Sequence, residues 1–120
     1  IDDLPIFFPK LIKLKLNNTK IKDLATLQQF KFLEDVYLDN TQINDDAILV
    51  LLNIQTLQRI SLSNTSITNV NRLCELKKLT HLHLSGTAIK NDFDISQFKT
   101  LTHLDLSNTI IDKLNNFQND

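Results

Sequence analysis

Apolar and polar residues along this chain follow a pattern that returns every 22 to 24 residues. Five segments superpose without a gap: LIKLKLNNTKI (residues 11–21), LEDVYLDNTQI (33–43), LQRISLSNTSI (57–67), LTHLHLSGTAI (79–89) and LTHLDLSNTII (101–111). Positions 1, 4, 6 and 11 of the segment are apolar in all five copies. Position 9 is always threonine: Thr19, Thr41, Thr65, Thr87 and Thr109. The apolar pair at positions 4 and 6 predicts a short strand with one buried face, and the polar residues at positions 3 and 5 then point the other way. One such unit cannot bury its own leucines, so the copies stack and their strands form a parallel sheet.

Between the strands the chain has to return. Ile21, Leu24, Leu27 and Phe30 do this in the first unit, and Ile67, Val70, Leu73 and Leu76 in the third. A spacing of three predicts tight 3₁₀-like turns packed inward. The second unit is two residues longer, and DDAILVLLNI from Asp45 is patterned as a short α-helix with an aspartate at its start.

Composition supports one soluble-type core and says how its turns are made. The chain has 120 residues, 42% of them hydrophobic, with only one glycine and two prolines. Its 13 asparagines tolerate tight backbone conformations and supply the turns instead. A net charge of −1 gives no global attraction for nucleic acid or an anionic membrane. The longest apolar run, residues 47–52, is far too short to span a bilayer. The single cysteine, Cys74, forms no internal disulfide, which fits a reducing compartment and leads us to expect a cytoplasmic protein. Asn17 and Asn64 match glycosylation acceptors, but the repeat itself generates such strings.

These segments resemble leucine-rich repeats, L-x-x-L-x-L-x-x-N-x-L, with Thr in place of the usual Asn. The 22-residue period is similar to that of protein-phosphatase-1 regulatory leucine-rich proteins and bacterial internalins. The resemblance implies an α/β solenoid: curved, with a parallel sheet on the concave face and short 3₁₀ or helical turns on the convex face. It also implies a structural ladder. The family's Asn binds neighbouring loop backbone along the solenoid, and a Thr hydroxyl can donate and accept similarly, so Thr19 to Thr109 are expected to form it. The repeats start near residues 11, 33, 57, 79 and 101 of one domain spanning 1–120. LPIFFPK before Leu11 reads as the tail of a preceding unit, with Phe8 where Phe30 sits before Leu33. After Leu114 and Phe117 the chain stops three residues short of the next strand. We therefore expect a stretch of a longer protein.

Partners of this family usually meet the strand face. Position 3 reads Lys13, Asp35, Arg59, His81 and His103, and position 5 reads Lys15, Tyr37, Ser61, His83 and Asp105. With strands about 4.8 Å apart and residues i and i+2 roughly 6.6 Å apart, these ten form a grid. Three kinds of chemistry fit parts of it. His81, His83 and His103, with Asp105, make a block that resembles the three-histidine zinc set of carbonic anhydrase, although an open sheet supplies no wall and no supporting shell. Ser61, His83 and Asp105 stand in triad order, but a sheet's amides are already engaged and leave no oxyanion donors. Lys10, Lys13, Lys15, Lys20 and Lys22 suit phosphate, yet Glu34, Asp35 and Asp39 follow directly. Tyr37 and Arg59, near the centre, are the residue types that dominate protein interfaces.

The expected function is therefore protein–protein interaction through the concave face, with another protein as partner. No catalysis, metal, cofactor, nucleic acid, membrane or small-molecule substrate is expected. The alternative keeps the fold and makes it a regulatory or targeting subunit, or a secreted bacterial effector domain, that directs an enzyme located elsewhere. In that version the protein works in a host cytosol. Three histidines near an unperturbed pKa of about 6.5 also make binding sensitive to pH between 5 and 7.

Overall fold

A computed structural model describes residues 4–111; Leu114 and Phe117 lie outside them. A short helix, α1 (Leu4–Phe7), leads into a sheet of five parallel strands in chain order. The strands are β1 (Lys13–Lys15), β2 (Asp35–Tyr37), β3 (Arg59–Ser61), β4 (His81–His83) and β5 (His103–Asp105). Register advances by one repeat per strand, so Leu14, Val36, Ile60, Leu82 and Leu104 stand in line. This is the arrangement that positions 4 and 6 predict, and it makes an α/β repeat solenoid.

The strands are short because the chain bends sharply two residues after the second leucine. At position 8, Asn18, Asn40, Asn64 and Asn108 adopt φ between 56° and 62°, and Gly86 adopts 68°. A left-handed residue usually costs an L-amino acid about 1–2 kcal/mol, and Asn carries it more easily than most. The bend keeps the ladder going beyond the strands. Asn18 N donates to Asp39 O (2.9 Å), Asn40 N to Ser63 O (3.0 Å), Asn64 N to Ser85 O (2.9 Å) and Gly86 N to Ser107 O (3.0 Å). Asparagine thus replaces glycine as the turn residue, as the composition suggested.

The return segments carry 3₁₀ turns at Ala25–Gln29, Asn71–Glu75 and Ile95–Gln97, and an α-helix, α2 (Asp46–Leu51), in the long second unit. Each is introduced by an Asx side chain that accepts the amide two residues on: Asp23 from Ala25 (2.9 Å), Asn44 from Asp46 (3.0 Å), Asn69 from Asn71 (2.9 Å), Asp94 from Ser96 (3.0 Å). Asp45, expected to cap α2, is used differently. Its carboxylate reaches the next repeat and accepts from Thr68 N (2.7 Å), Thr68 Oγ1 and Asn69 N (3.3 Å). The neighbouring Asn44 side chain takes over the local turn.

Between sheet and return turns lies one continuous core. Leu38, Leu62 and Leu84 from position 6 meet Leu27, Leu51 and Leu73 from the turns, all fully buried. Burying each such side chain contributes about 1.5–3 kcal/mol, so every repeat leans on its neighbours.

The threonines behave otherwise than the ladder expectation. Each hydroxyl donates to the carbonyl three residues back in its own repeat: Thr19 to Leu16 (2.8 Å), Thr41 to Leu38 (2.7 Å), Thr65 to Leu62 (2.7 Å), Thr87 to Leu84 (2.7 Å) and Thr109 to Leu106 (2.6 Å). A Thr side chain is one atom shorter than Asn, so its hydroxyl closes the turn locally. Position 7 supplies links between repeats. Asn17 Oδ1 accepts from Asp39 N (2.8 Å), Asp39 Oδ1 from Ser63 N (2.8 Å), and the Ser85 and Ser107 hydroxyl oxygens lie 3.0 Å apart.

Candidate functional site: the polar face of the sheet

Each strand turns its position-4 residue into the core and presents positions 3 and 5 on the opposite face. The register places the ten residues in two rows. Lys13, Asp35, Arg59, His81 and His103 form one, and Lys15, Tyr37, Ser61, His83 and Asp105 the other. All ten candidates therefore share one surface, but they are not equally open. Lys13, Lys15, Arg59 and His103 are exposed, and Tyr37, His81, His83 and Asp105 are half-buried. Asp35 and Ser61 are buried, at 6% and 5% exposure. Larger neighbours on adjacent strands cover these two short side chains, which alternation along one strand does not foretell.

Asp35 Oδ1 lies 3.6 Å from Arg59 Nη1 and makes no hydrogen bond among the described residues. The carboxylate holds the guanidinium over itself, while 45% of the Arg59 side chain stays exposed. Beside this pair, Lys15 Nζ sits 5.5 Å from the centre of the Tyr37 ring, within cation–π range. Ser61 Oγ donates to Asp39 Oδ1. Asp39, at position 7, was not among the candidate residues. The sign available in the sequence is that position 7 is Asn, Asp or Ser in every repeat.

At the other end of the face, the rings of His81 and His103 are stacked, with centroids 4.0 Å apart and planes inclined by 7°. Each is held from below by the preceding threonine: Thr80 Oγ1 lies 2.8 Å from His81 Nδ1, and Thr102 Oγ1 lies 2.9 Å from His103 Nδ1. A hydroxyl has one proton to give. Thr80 donates it to Gln58 O (3.1 Å) and Thr102 to Thr80 O (3.2 Å). Burial lowers the His81 pKa, and nearby His103, Arg59 and His83 lower it further against an opposing pull from Asp35.

This geometry bears on the sharper chemistry. The His81 and His103 rings lie in nearly parallel planes. Among the described residues no three His, Cys, Asp or Glu groups come together to hold a metal. His81, His83, His103 and Asp105 are neighbours on adjacent strands. Asp105 accepts from Ser107 N (2.9 Å) and Ser107 Oγ (2.7 Å). These two bonds lower its pKa against a smaller burial effect, with His83 nearby adding to the fall. Ser61 is bonded to Asp39 and Asp105 to Ser107, so the triad order does not become a triad hydrogen-bond chain. Lys10, Lys20 and Lys22 are exposed around the first repeat, and Cys74 is a half-buried free thiol in a 3₁₀ turn. No helix among the described residues is long and apolar enough to cross a membrane.

No protein-family model and no curated protein sequence matches the chain. Solved structures do. An internalin, InlF, of Listeria monocytogenes superposes with a TM-score of 0.72 at 25% identity over 82% of this chain. Internalin C2 of the same organism gives 0.72 at 23% over 81%. A leucine-rich-repeat protein of Leptospira interrogans gives 0.72 at 27% over 88%. The chain spans 28%, 42% and 28% of the lengths of these three proteins. The 22-residue period, the in-register parallel sheet and these neighbours agree: the chain is a leucine-rich-repeat protein.

Proposed function

We propose that this chain is a protein-recognition module, the targeting part of a larger protein, and that its partner lies on the concave sheet face. The observation that carries the reading is the contrast between the two sides of each strand. Position 4 is a repeated aliphatic residue, whereas positions 3 and 5 vary along the sheet, apart from the His81/His103 pair, and stand in two ordered rows. A surface whose framework repeats and whose contacts do not is suited to reading one partner. Tyr37 and Arg59 sit near its middle and are of the types that supply most interface energy.

The test uses ligands selected from a displayed peptide library against the folded protein. Tyr37→Ala is expected to weaken them by about 1–3 kcal/mol without lowering the melting temperature. Arg59→Ala is a poorer probe, because it leaves the buried Asp35 carboxylate without its counter-ion; Arg59→Lys keeps a charge there and removes the fork. Selected ligands that bind both variants with wild-type affinity would place the interface elsewhere.

A further inference from the structure

We infer that the β1–β3 half of the sheet face receives an acidic segment of the partner, its carboxylates meeting Lys13, Lys15 and Arg59. The inference rests on the reading that this face is the binding surface, and it adds the partner's chemistry. Its ground is an uneven exposure of charge. Residues 10–22 contain five lysines and no carboxylate, and all five lysines are exposed. Among the described residues none of the five is in an ion pair.

Off the two rows, Asp23 is exposed and Glu34 half-buried. Asp35 stands in register between Lys13 and Arg59, but it is buried and faces the guanidinium. Asp39 is tied to Ser61 Oγ and Ser63 N. Within the two rows of β1–β3 the one carboxylate is thus buried, while Lys13, Lys15 and Arg59 are exposed. On strands β4 and β5 the two rows hold three histidines and Asp105, with no lysine or arginine. A ligand bearing negative charge is therefore drawn to one half of the face.

Peptide carboxylates suit this half better than a nucleic acid. Single strands bind by stacking bases on open aromatic rings along a basic groove. Among the described residues of the β1–β3 half, Tyr37 is the one aromatic ring on the face, and Lys15 already lies over it. Alternate side chains of an extended peptide recur about every 6.6 Å, the spacing of Lys13 and Lys15 along their strand.

The experiment is an amide NMR titration of the ¹⁵N-labelled protein with octaglutamate, with octalysine and an eight-residue oligothymidine as comparisons. Octaglutamate should shift the amides of Lys13, Lys15, Tyr37 and Arg59, and octalysine should not. Lys13→Glu/Lys15→Glu should bind octaglutamate about tenfold more weakly or worse with an unchanged melting temperature. Octaglutamate shifts that are absent or confined to other residues overturn the inference, as does oligothymidine acting on the same amides at lower concentration. The library ligands separate this failure from that of the parent reading. Ligands that land on the face without enrichment in Asp or Glu sink only the acidic segment; ligands that land elsewhere sink both.

Discussion

His81 and His103, one repeat apart, lie ring on ring with centroids 4.0 Å apart. Neutral imidazoles tolerate this contact, whereas two imidazolium ions repel across it. The ring of His81 is also partly desolvated and has His103, Arg59 and His83 as electropositive neighbours, with Asp35 alone opposing. Its pKa in the fold accordingly lies below the ordinary 6.5.

The sign of the pH effect follows. Between the folded pKa and about 6.5 the unfolded chain holds more protons at this site than the folded one. Stability from His81 is therefore intact above about pH 6.5 and declines as pH falls toward the folded value. Melting temperatures recorded from pH 7.5 down to 5 should decrease, and His81→Asn should lose part of that slope. Equal slopes in the two proteins would mean that the stack carries no protonation penalty.

Asp45 gives the same sign at a lower pH. Burial raises its pKa, but bonds from the Thr68 hydroxyl, Thr68 N and Asn69 N outweigh this and leave the value lowered. Its contribution is present above its unfolded value near 3.8 and is lost as pH falls through the lower folded value. Removing its two-repeat clamp by Asp45→Ala should cost about 1–2 kcal/mol at neutral pH, read from urea denaturation. A wild-type midpoint in the variant would show that neighbouring repeats hold each other through apolar packing alone.

Position 9 tests whether burial sets the value of a repeated bond. The Thr87 hydroxyl is buried and donates to Leu84 O, whereas the same bond at Thr19 is exposed to water. Thr87→Val should lower stability by about 1 kcal/mol and Thr19→Val by distinctly less, since water replaces the lost donor there. Equal losses in chemical denaturation would contradict this account.

Gly86 is the one position 8 that is not asparagine. A Cβ there would come within 2.1 Å of Asn64 Oδ1, and the φ of +68° penalises any L-residue. The Asn64 amide can rotate aside, so the backbone term remains, and Gly86→Ala should cost about 1–2 kcal/mol. Gly86→Asn should cost less than Gly86→Ala, because Asn18, Asn40, Asn64 and Asn108 already hold that conformation. Denaturation midpoints of the two variants decide the order.

Much of this architecture was legible in one dimension. The invariant apolar positions 1, 4, 6 and 11 predict strand, core side and register, because the side-chain direction of a strand alternates locally and a stacked repeat must pair like with like. Wide spacing of three predicted the 3₁₀ returns, and the two extra residues of the second unit predicted α2. The two rows of face residues followed from the same alternation.

Only the tertiary structure decided which of those residues are open and to what each is bonded. Asp35 and Ser61 lie on the polar face yet are buried, since adjacent strands bring longer side chains over them. The threonines close their own turns, and Asn17, Asp39 and Asp45 reach across to the next repeat instead. His81 and His103, one repeat apart, form a ring stack. A repeat pattern encodes the direction in which a side chain leaves the backbone. Exposure and partnership depend on the size and polarity of groups about 22 residues away, which meet only when strands lie about 4.8 Å apart.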